Sequence, residues 1–406
     1  MADPAAPTPT PGKSNTPAAA PAGPPPWNNP RVRALVFQAV ALLLVVWFFW
    51  TIFTNTLANM ESRDITTGFG FLDNTASFDI LFTLIPYDAT DTYGRTFVVG
   101  LLNTLLVAFM GIAFATLIGF ALGVARLSSN WLVAKMALVY IEVTRNIPLL
   151  LQIFFWYYAV LRTLPGPRDS LEIPGSIFLN NRGLYMPWPQ AEPGAWLVGV
   201  AAVVAVVVAV MLLRWAKRRQ DATGARVPAG WASLGLVLGL PALAFVAVGS
   251  PVTWDIPEAT RFNLRGGARL IPEFIALWAA LTMYTAAFIG EIVRSGIQAV
   301  SHGQTEAAQA LGLRRGPALR LIIIPQAMRV IIPPLTSQYL NLTKNSSLAT
   351  AIGYPDLVGV FMGTTLNQTG QAVEIVAMTM AVYLTISLSI SVLMNLYNRA
   401  MALKER

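Results

Sequence analysis

The stretch "QAMRVIIPPLTSQYLNLTKNSSLATAIGYP" (326–355) gathers most of the side chains in this chain that could meet a polar solute. Gln338, Asn341, Lys344, Asn345 and Ser346 follow the pair Pro333 and Pro334, with Thr336, Ser337 and Thr343 among them. Amides and hydroxyls both give and take hydrogen bonds, and the Lys344 ammonium would meet a carboxylate. Ser337, Asn341 and Lys344 keep three- to four-residue steps, as do Gln338, Asn341 and Asn345, so one helix face could present several of them. Two readings fit. These groups bond neighbouring helices or lie in a membrane interface, or they line a translocation pathway beside a helix broken at the prolines.

Reaction chemistry has no comparable foothold. Glu291 and Arg294 stand three apart, the spacing of a local ion pair that anchors a helix rather than of a proton relay. Glu142 and Arg145 precede Pro148, where a kinked helix with the two residues paired is expected. The single histidine, His302, excludes any site needing two imidazoles and suits a solvated or capping role. With no cysteine, neither a disulfide nor a thiolate metal site can form. The "GKS" at 12–14 has Pro7 where a phosphate loop needs its first glycine. No nucleophile stands with a base and an orienting group. Neither an enzyme nor a cofactor or metal held by this chain is expected.

The elements that position these groups are set by composition. Of the 406 residues 55% are hydrophobic and 12% charged, with a mean hydropathy of +0.57, against about 25% charged in a soluble domain. The expectation is an all-α, multi-pass membrane protein. A bilayer core asks for about 20 apolar residues per helix. Such runs lie at 34–53, 96–125, within 131–161, and at 195–213, 231–250, 272–290 and 375–394. The polar stretch supplies one more at about 326–345, which makes eight. The first run is too long for a signal-peptide core and no cleavage site follows it, so it is read as retained. Residues 1–30, rich in proline and alanine, read as a disordered tail. The net charge of +8 reports cytoplasmic loops; no basic patch interleaved with aromatics points to nucleic acid.

Lysine and arginine near the span ends set the orientation. Arg31 and Arg33 place the N-terminus inside. Eight crossings then put the basic segments 214–226 and 294–320 and the tail "MALKER" inside as well. The outward loop 55–95 is acidic, with Asp64, Asp73, Asp79, Asp88 and Asp91 against Arg63 and Arg95. The loop after Lys344 carries Asp356 and Glu374 and no basic residue.

Between the sixth and seventh spans stands "EAAQALGLRRGPALRLIIIP" (306–325). Glu306 to Leu313 reads as a short helix with Ala307, Ala310 and Leu311 on one side. Gly312 and Gly316 frame a turn, and Pro317 suits the first position of a second helix. Arg314, Arg315 and Arg320 hold this elbow in the cytoplasm. Physically it is either a small-residue knuckle that fits a groove on a soluble partner, or an ordinary amphipathic interfacial helix.

The spacing of Glu306, Ala307, Ala308, Gly312, Ile322 and Pro325 resembles the coupling-helix signature of ATP-binding-cassette importer permeases. The departure is Ile324, where leucine is usual. "GEIVRSGIQAVSHGQTEAAQALG", "NLTKNSSLATAIGYPDL" and "RNIPLLLQIFFWYY" resemble the polar amino-acid branch of that family. "TLIPY" and "RLSSNWL" look like the larger, general L-amino-acid permeases of the Aap/Bzt type. The resemblance covers most of the chain beyond residue 30. It implies a five-helix type I core from spans two, three, six, seven and eight, with an added N-terminal helix and an inserted pair. The divisions would be tail 1–30, extra helix 31–54, periplasmic loop 55–95, first core part 96–163, insertion 164–271, and second core part 272–406 with a coupling helix at 303–325.

The same resemblance implies partners. An ATP-binding subunit dimer would hold ATP and magnesium and grip the elbow, and a second homologous permease would complete the pore. A periplasmic amino-acid-binding protein would meet the acidic outer loops. The cargo would be L-amino acids such as glutamate, glutamine, aspartate or asparagine, crossing a bacterial inner membrane with both termini of this chain in the cytoplasm. The competing expectation is a stand-alone, ion-coupled amino-acid carrier with Lys344 and Glu291 as coupling groups.

Overall fold

The computed structural model describes residues 30–62, 67–225, 227–260 and 263–401. The proline-rich tail with its "GKS", Arg63 and Asp64, and the last five residues lie outside them. Helix α1 (Pro30–Glu61) belongs to a unit of its own, and residues 67–401 belong to a second.

The second unit is mostly helical. Its core helices are α2 (Tyr93–Arg126), α3 (Trp131–Asn146), α4 (Leu149–Phe154, continued by a π-helical turn Phe155–Leu161) and α7 (Pro272–Gln298). The inserted pair is α5 (Ala195–Thr223) and α6 (Ala229–Ala247). After α7 come α8 (His302–Ala310), α9 (Arg315–Ala318), a π turn Leu319–Ile323 and α10 (Ile324–Asn345). The chain ends with α11 (Leu366–Thr369) and α12 (Ala372–Met401). Among the described residues seven helices are long and apolar enough to cross a membrane, and the bent pair α3–α4 makes an eighth when counted as one span.

Helix starts follow their capping residues. Thr92 accepts a hydrogen bond from the Arg95 N–H at the head of α2, and Asn130 accepts from Leu132 and Val133 at the head of α3. Proline restricts the residue before it to extended backbone, and Ile147 before Pro148 adopts φ −98°, ψ 126°. The chain turns there by 106°. That is far more than the expected kink, and the expected Glu142–Arg145 pair is absent among the described ion pairs. Arg145 lies instead over the Phe288 ring, 5.1 Å from its centre. Buried Gln152 donates to the carbonyls of Thr144 (2.8 Å) and Ile147 (3.0 Å), which the bend leaves without helical partners.

The two prolines of α10 behave differently from the expectation. Pro333 and Pro334 each remove a rung of the hydrogen-bond ladder, yet the helix runs through both. The irregular backbone lies further on, at 346–371, where a 3-10 turn (Ser346–Ile352) and a π turn (Val358–Thr365) replace regular helix. Its polar groups are met by α2. Asn103 donates to the Pro355 (2.8 Å) and Phe82 (2.9 Å) carbonyls, Thr104 accepts from the Leu357 N–H (3.0 Å), and Tyr354 donates to the Asn103 carbonyl (3.1 Å).

The core centres on α7, packed between α2, α3, α4 and α10. Contact with α2 is close because α2 supplies glycines. A Cβ at Gly119 would sit 2.6 Å from Ile289 Cβ, and one at Gly123 2.6 Å from Val293 Cβ. Lipid is as apolar as these side chains, so close packing rather than water exclusion favours the association.

The insertion brings eight short strands among the described residues, which an all-α reading does not foresee. β1 (Leu171–Ile173), β2 (Ile177–Asn180), β3 (Gly183–Met186) and β8 (Ala268–Leu270) form one antiparallel sheet in that order. β4 (Trp188–Ala191) pairs with β5 (Val252–Asp255), and β6 (Glu258–Ala259) with β7 (Leu264–Arg265). Gly183, at φ +127°, lets the Leu270 carbonyl approach where a Cβ would stand. Leu184 pairs with Leu270 and Gln190 with Thr253. The strands therefore clasp the two chain ends from which α5 and α6 rise.

Candidate coupling elbow and polar helix face

The elbow starts with α8, nine residues from His302 to Ala310. His302 Nδ1 lies 3.0 Å from Glu306 Oε1, and both side chains are exposed. The helix stops at Gly312, whose φ of +72° is left-handed. Leu313 N–H donates to the Ala308 carbonyl (3.0 Å) and Gly312 N–H to that of Gln309 (2.8 Å). These two bonds close a Schellman motif, which satisfies carbonyls that a bare helix end would strand. No atom lies within 4 Å of a Cβ built on Gly312, so glycine is required there by backbone angle and not by space.

The six motif residues divide into two groups. Glu306, Ala307 and Gly312 are exposed, beside an outward Leu311 that is 78% exposed. Ala308 is fully buried, and Ile322 and Pro325 are half-buried at the π turn and the start of α10. Gln326 ties the halves together, donating to the Ile322 carbonyl (3.1 Å) and to Gln304 of α8 (3.2 Å). The motif thus contains a presented face and a set of packing residues that fixes this face to the spanning helix α10. Of the elbow arginines, Arg314 and Arg320 are exposed, and the side chain of Arg315 lies outside the described ones. Behind the elbow a groove of about 810 Å³ runs between α8, the π turn and Leu127 after α2, lined also by Val300, Leu313 and Ile323.

The polar residues of α10 are also sorted. Ser337, Asn341 and Lys344 are exposed in one line, continuing from exposed Pro334. Gln338 and Asn345 flank that line and are half-buried. Ser346 does not join it: it is buried and its hydroxyl donates to the Thr343 carbonyl (2.7 Å). The opposite side of α10 is core, with Ile331, Leu335 and Leu342 buried. Glu291 and Arg294 form the ion pair that their spacing predicts, with Arg294 Nε 3.0 Å from both carboxylate oxygens.

Beyond the C-terminal end of α10, Asp356 is wholly buried and Glu374 is 8% exposed, so neither is part of an acidic surface. Asp356 accepts from the Gly359 N–H (2.8 Å) and Glu374 from the Gly68 N–H (2.6 Å). Among the described residues of the loop 55–95, the exposed acids are Asp73, Asp79 and Asp88. Two bonds from Thr90 hold the Asp88 carboxyl below the usual carboxylate range. Burial, with Asp91, Asp79 and Asp88 nearby, pushes the Tyr87 phenol up to about 12.

Sequence reasoning missed Gln152, Asn103, Thr104 and the buried pair in which Tyr157 donates to Glu273 (2.7 Å). A signal was present for the first three: Gln152 is a lone polar side chain, and Asn103–Thr104 a lone polar pair, inside apolar runs.

A family model described as "Binding-protein-dependent transport system inner membrane component" matches residues 111–403, which include the core from mid-α2 onward and the whole elbow. The chain belongs to that family. It is therefore a multi-pass membrane component of an ATP-binding-cassette importer for amino acids, and the stand-alone ion-coupled carrier is set aside. Among curated relatives, this transport component is 56% identical to the "Putative amino-acid ABC transporter permease protein YhdX" of Escherichia coli K12, over 93% of this chain and 96% of that one. It is 52% identical to the "General L-amino acid transport system permease protein AapQ" of Rhizobium johnstonii, over 93% and 94%. It is 45% identical to the "Glutamate/glutamine/aspartate/asparagine transport system permease protein BztB" of Rhodobacter capsulatus, over 93% and 95%.

Proposed function

We propose that this chain is one of two transmembrane subunits of an importer that carries polar L-amino acids into the cytoplasm. ATP hydrolysis on a separate subunit dimer, docked on α8, would drive it. The observation that carries this reading is the division of the elbow: a presented Glu306–Ala307–Gly312 face, and buried or half-buried Ala308, Ile322 and Pro325 joining it to α10. A push on α8 would thus reach the exposed Ser337–Asn341–Lys344 line, which faces the pore that a second permease completes. A polar line on the surface of a spanning helix is costly against lipid, which supports a protein or aqueous neighbour there. The cargo class is supported by the three relatives and by the amide and ammonium groups of that line, which suit an amino acid's carboxylate. Catalysis is left to the partner, where ATP and magnesium would bind.

The basic residues at the inner ends support a bacterial inner-membrane orientation with both termini cytoplasmic. The exposed Asp73, Asp79 and Asp88 are on the side where a periplasmic binding protein would dock. The test is uptake of labelled L-glutamate and L-glutamine by cells carrying the whole system. Loss on ATP depletion with the proton gradient held is expected. Loss on gradient collapse with ATP held would overturn the reading.

A further inference from the structure

Helix α5 is longer than a bilayer core. Its 29 residues span about 43 Å against a hydrocarbon thickness of about 30 Å. One line along it, in steps of three and four, runs Trp196, Val200, Val203, Val207, Val210 and then Arg214, Lys217, Arg218, all exposed. The opposite line, Ala205, Ala209 and Ala216, is buried, and Ser233 of α6 donates to the Ala209 carbonyl (3.4 Å). Among the described residues, helices α5 and α6 pack chiefly on each other. The basic residues therefore point away from the hairpin's own interface.

The distance along this line fits a membrane. From Trp196 to Arg214 it runs roughly 27 Å along the helix axis, so an aromatic ring stands at one boundary and the first cation at the other. One step beyond, the Arg219 guanidinium lies over the Trp215 ring at 5.3 Å, an amphipathic pair suited to headgroup depth. Asp221 is the nearby counter-charge, and none of the basic side chains 214–219 makes an ion pair among the described residues.

We propose that Arg214, Lys217 and Arg218 bind the phosphodiester headgroups of anionic phospholipids in the inner leaflet, so that the inserted hairpin holds a shell of acidic lipid beside the transport core. The occupant is lipid rather than a soluble subunit because the cationic cluster is the end of a continuous apolar line. One phospholipid satisfies both, with its chains against Val203 to Val210 and its phosphate against the cluster. The proposal rests on the inside-facing orientation given above.

The experiment uses the assembled importer in nanodiscs of phosphatidylcholine with about 20% phosphatidylglycerol, and reads phosphatidylglycerol enrichment around the protein by native mass spectrometry. Because each basic residue near the surface attracts anionic lipid, the triple variant Arg214→Gln/Lys217→Gln/Arg218→Gln brings the phosphatidylglycerol fraction around the protein down to that of the bulk disc. The conservative Arg214→Lys/Arg218→Lys variant keeps it, which separates lost charge from a misfolded helix. Equal enrichment in wild type and triple variant would overturn the proposal. So would displacement of the lipid by millimolar inorganic phosphate, which means a free-anion site. Loss of the ATPase subunit from the triple variant with enrichment unchanged would assign the cluster to that subunit instead. Labelling of Lys217→Cys by an impermeant thiol reagent in intact cells would show the orientation itself to be wrong.

Discussion

Helices α2 and α7 and the inserted pair α5–α6 are built from similar apolar residues, yet they are held in opposite ways. Helix α5 is the most apolar span among the described residues and one of the least buried; α7 is among the least apolar and the most buried. In water that order would be reversed. In lipid, apolar character keeps a helix in the membrane but does not join it to a neighbour. What joins α2 to α7 is close approach at Gly119 and Gly123, and what holds the bent segments in place is amide chemistry at Gln152 and Asn103. Within the inserted helices, a Cβ at Gly199, Gly235 or Gly239 would meet nothing within 4 Å.

The contrast can be broken by substitution. Gly123→Leu drives a side chain into Val293 and the Gly290 carbonyl, a clash with backbone that a close-packed interface cannot absorb. Folded, monodisperse protein should be lost, as size-exclusion chromatography would show; survival would mean that glycine packing does not hold the core. Gln152→Leu comes next. It removes the donors to two carbonyls at the Pro148 bend, at about 1–3 kcal/mol for a buried group left unpaired, and should lower the detergent-solubilised melting temperature by several degrees.

The elbow should respond through function more than stability. Gly312→Val forces a β-branched residue to φ +72°, at about 1–2 kcal/mol, and misdirects Leu311 and Glu306; uptake should fall steeply while membrane insertion is kept. Gly312→Asn, which tolerates left-handed backbone, should recover most of the uptake. The smallest effect belongs to the insertion. Gly235→Ala meets no atom and should leave uptake unchanged, with stability the same or higher by up to about 1 kcal/mol. A loss there comparable to that of Gly123→Leu would erase the distinction between the two regions.

The long apolar runs made the spans legible, and the spacing from Glu306 to Pro325 made the elbow legible, because both are local properties. Prolines were not. Pro148 and Pro333 both follow isoleucine, but the chain breaks at the first and continues at the second. Gln152 takes up the carbonyls freed at the first bend, and that tertiary partner cannot be read from the proline itself. Burial misled in the same way for Asp356, Glu374 and Ser346, which counted as loop acids and a pathway hydroxyl until the fold turned them inward. The strands had a signal in the turn residues Pro174, Gly175 and Asn181 to Gly183, which is faint beside the apolar helices that flank it.

The central claim is that the exposed face of α8 is the seat of the ATP-hydrolysing subunit. Because the chain has no cysteine of its own, Ala307→Cys can carry a short photo-crosslinker as its single reactive site. In the assembled, ATP-driven importer, illumination should join this position to the ATPase subunit, with a yield that changes between the nucleotide-free and ATP-bound states. The same label at Leu238 of α6, exposed on the inserted pair, should give no such product. An importer that still takes up amino acids with ATP, yet never yields the Ala307 adduct, would contradict the account.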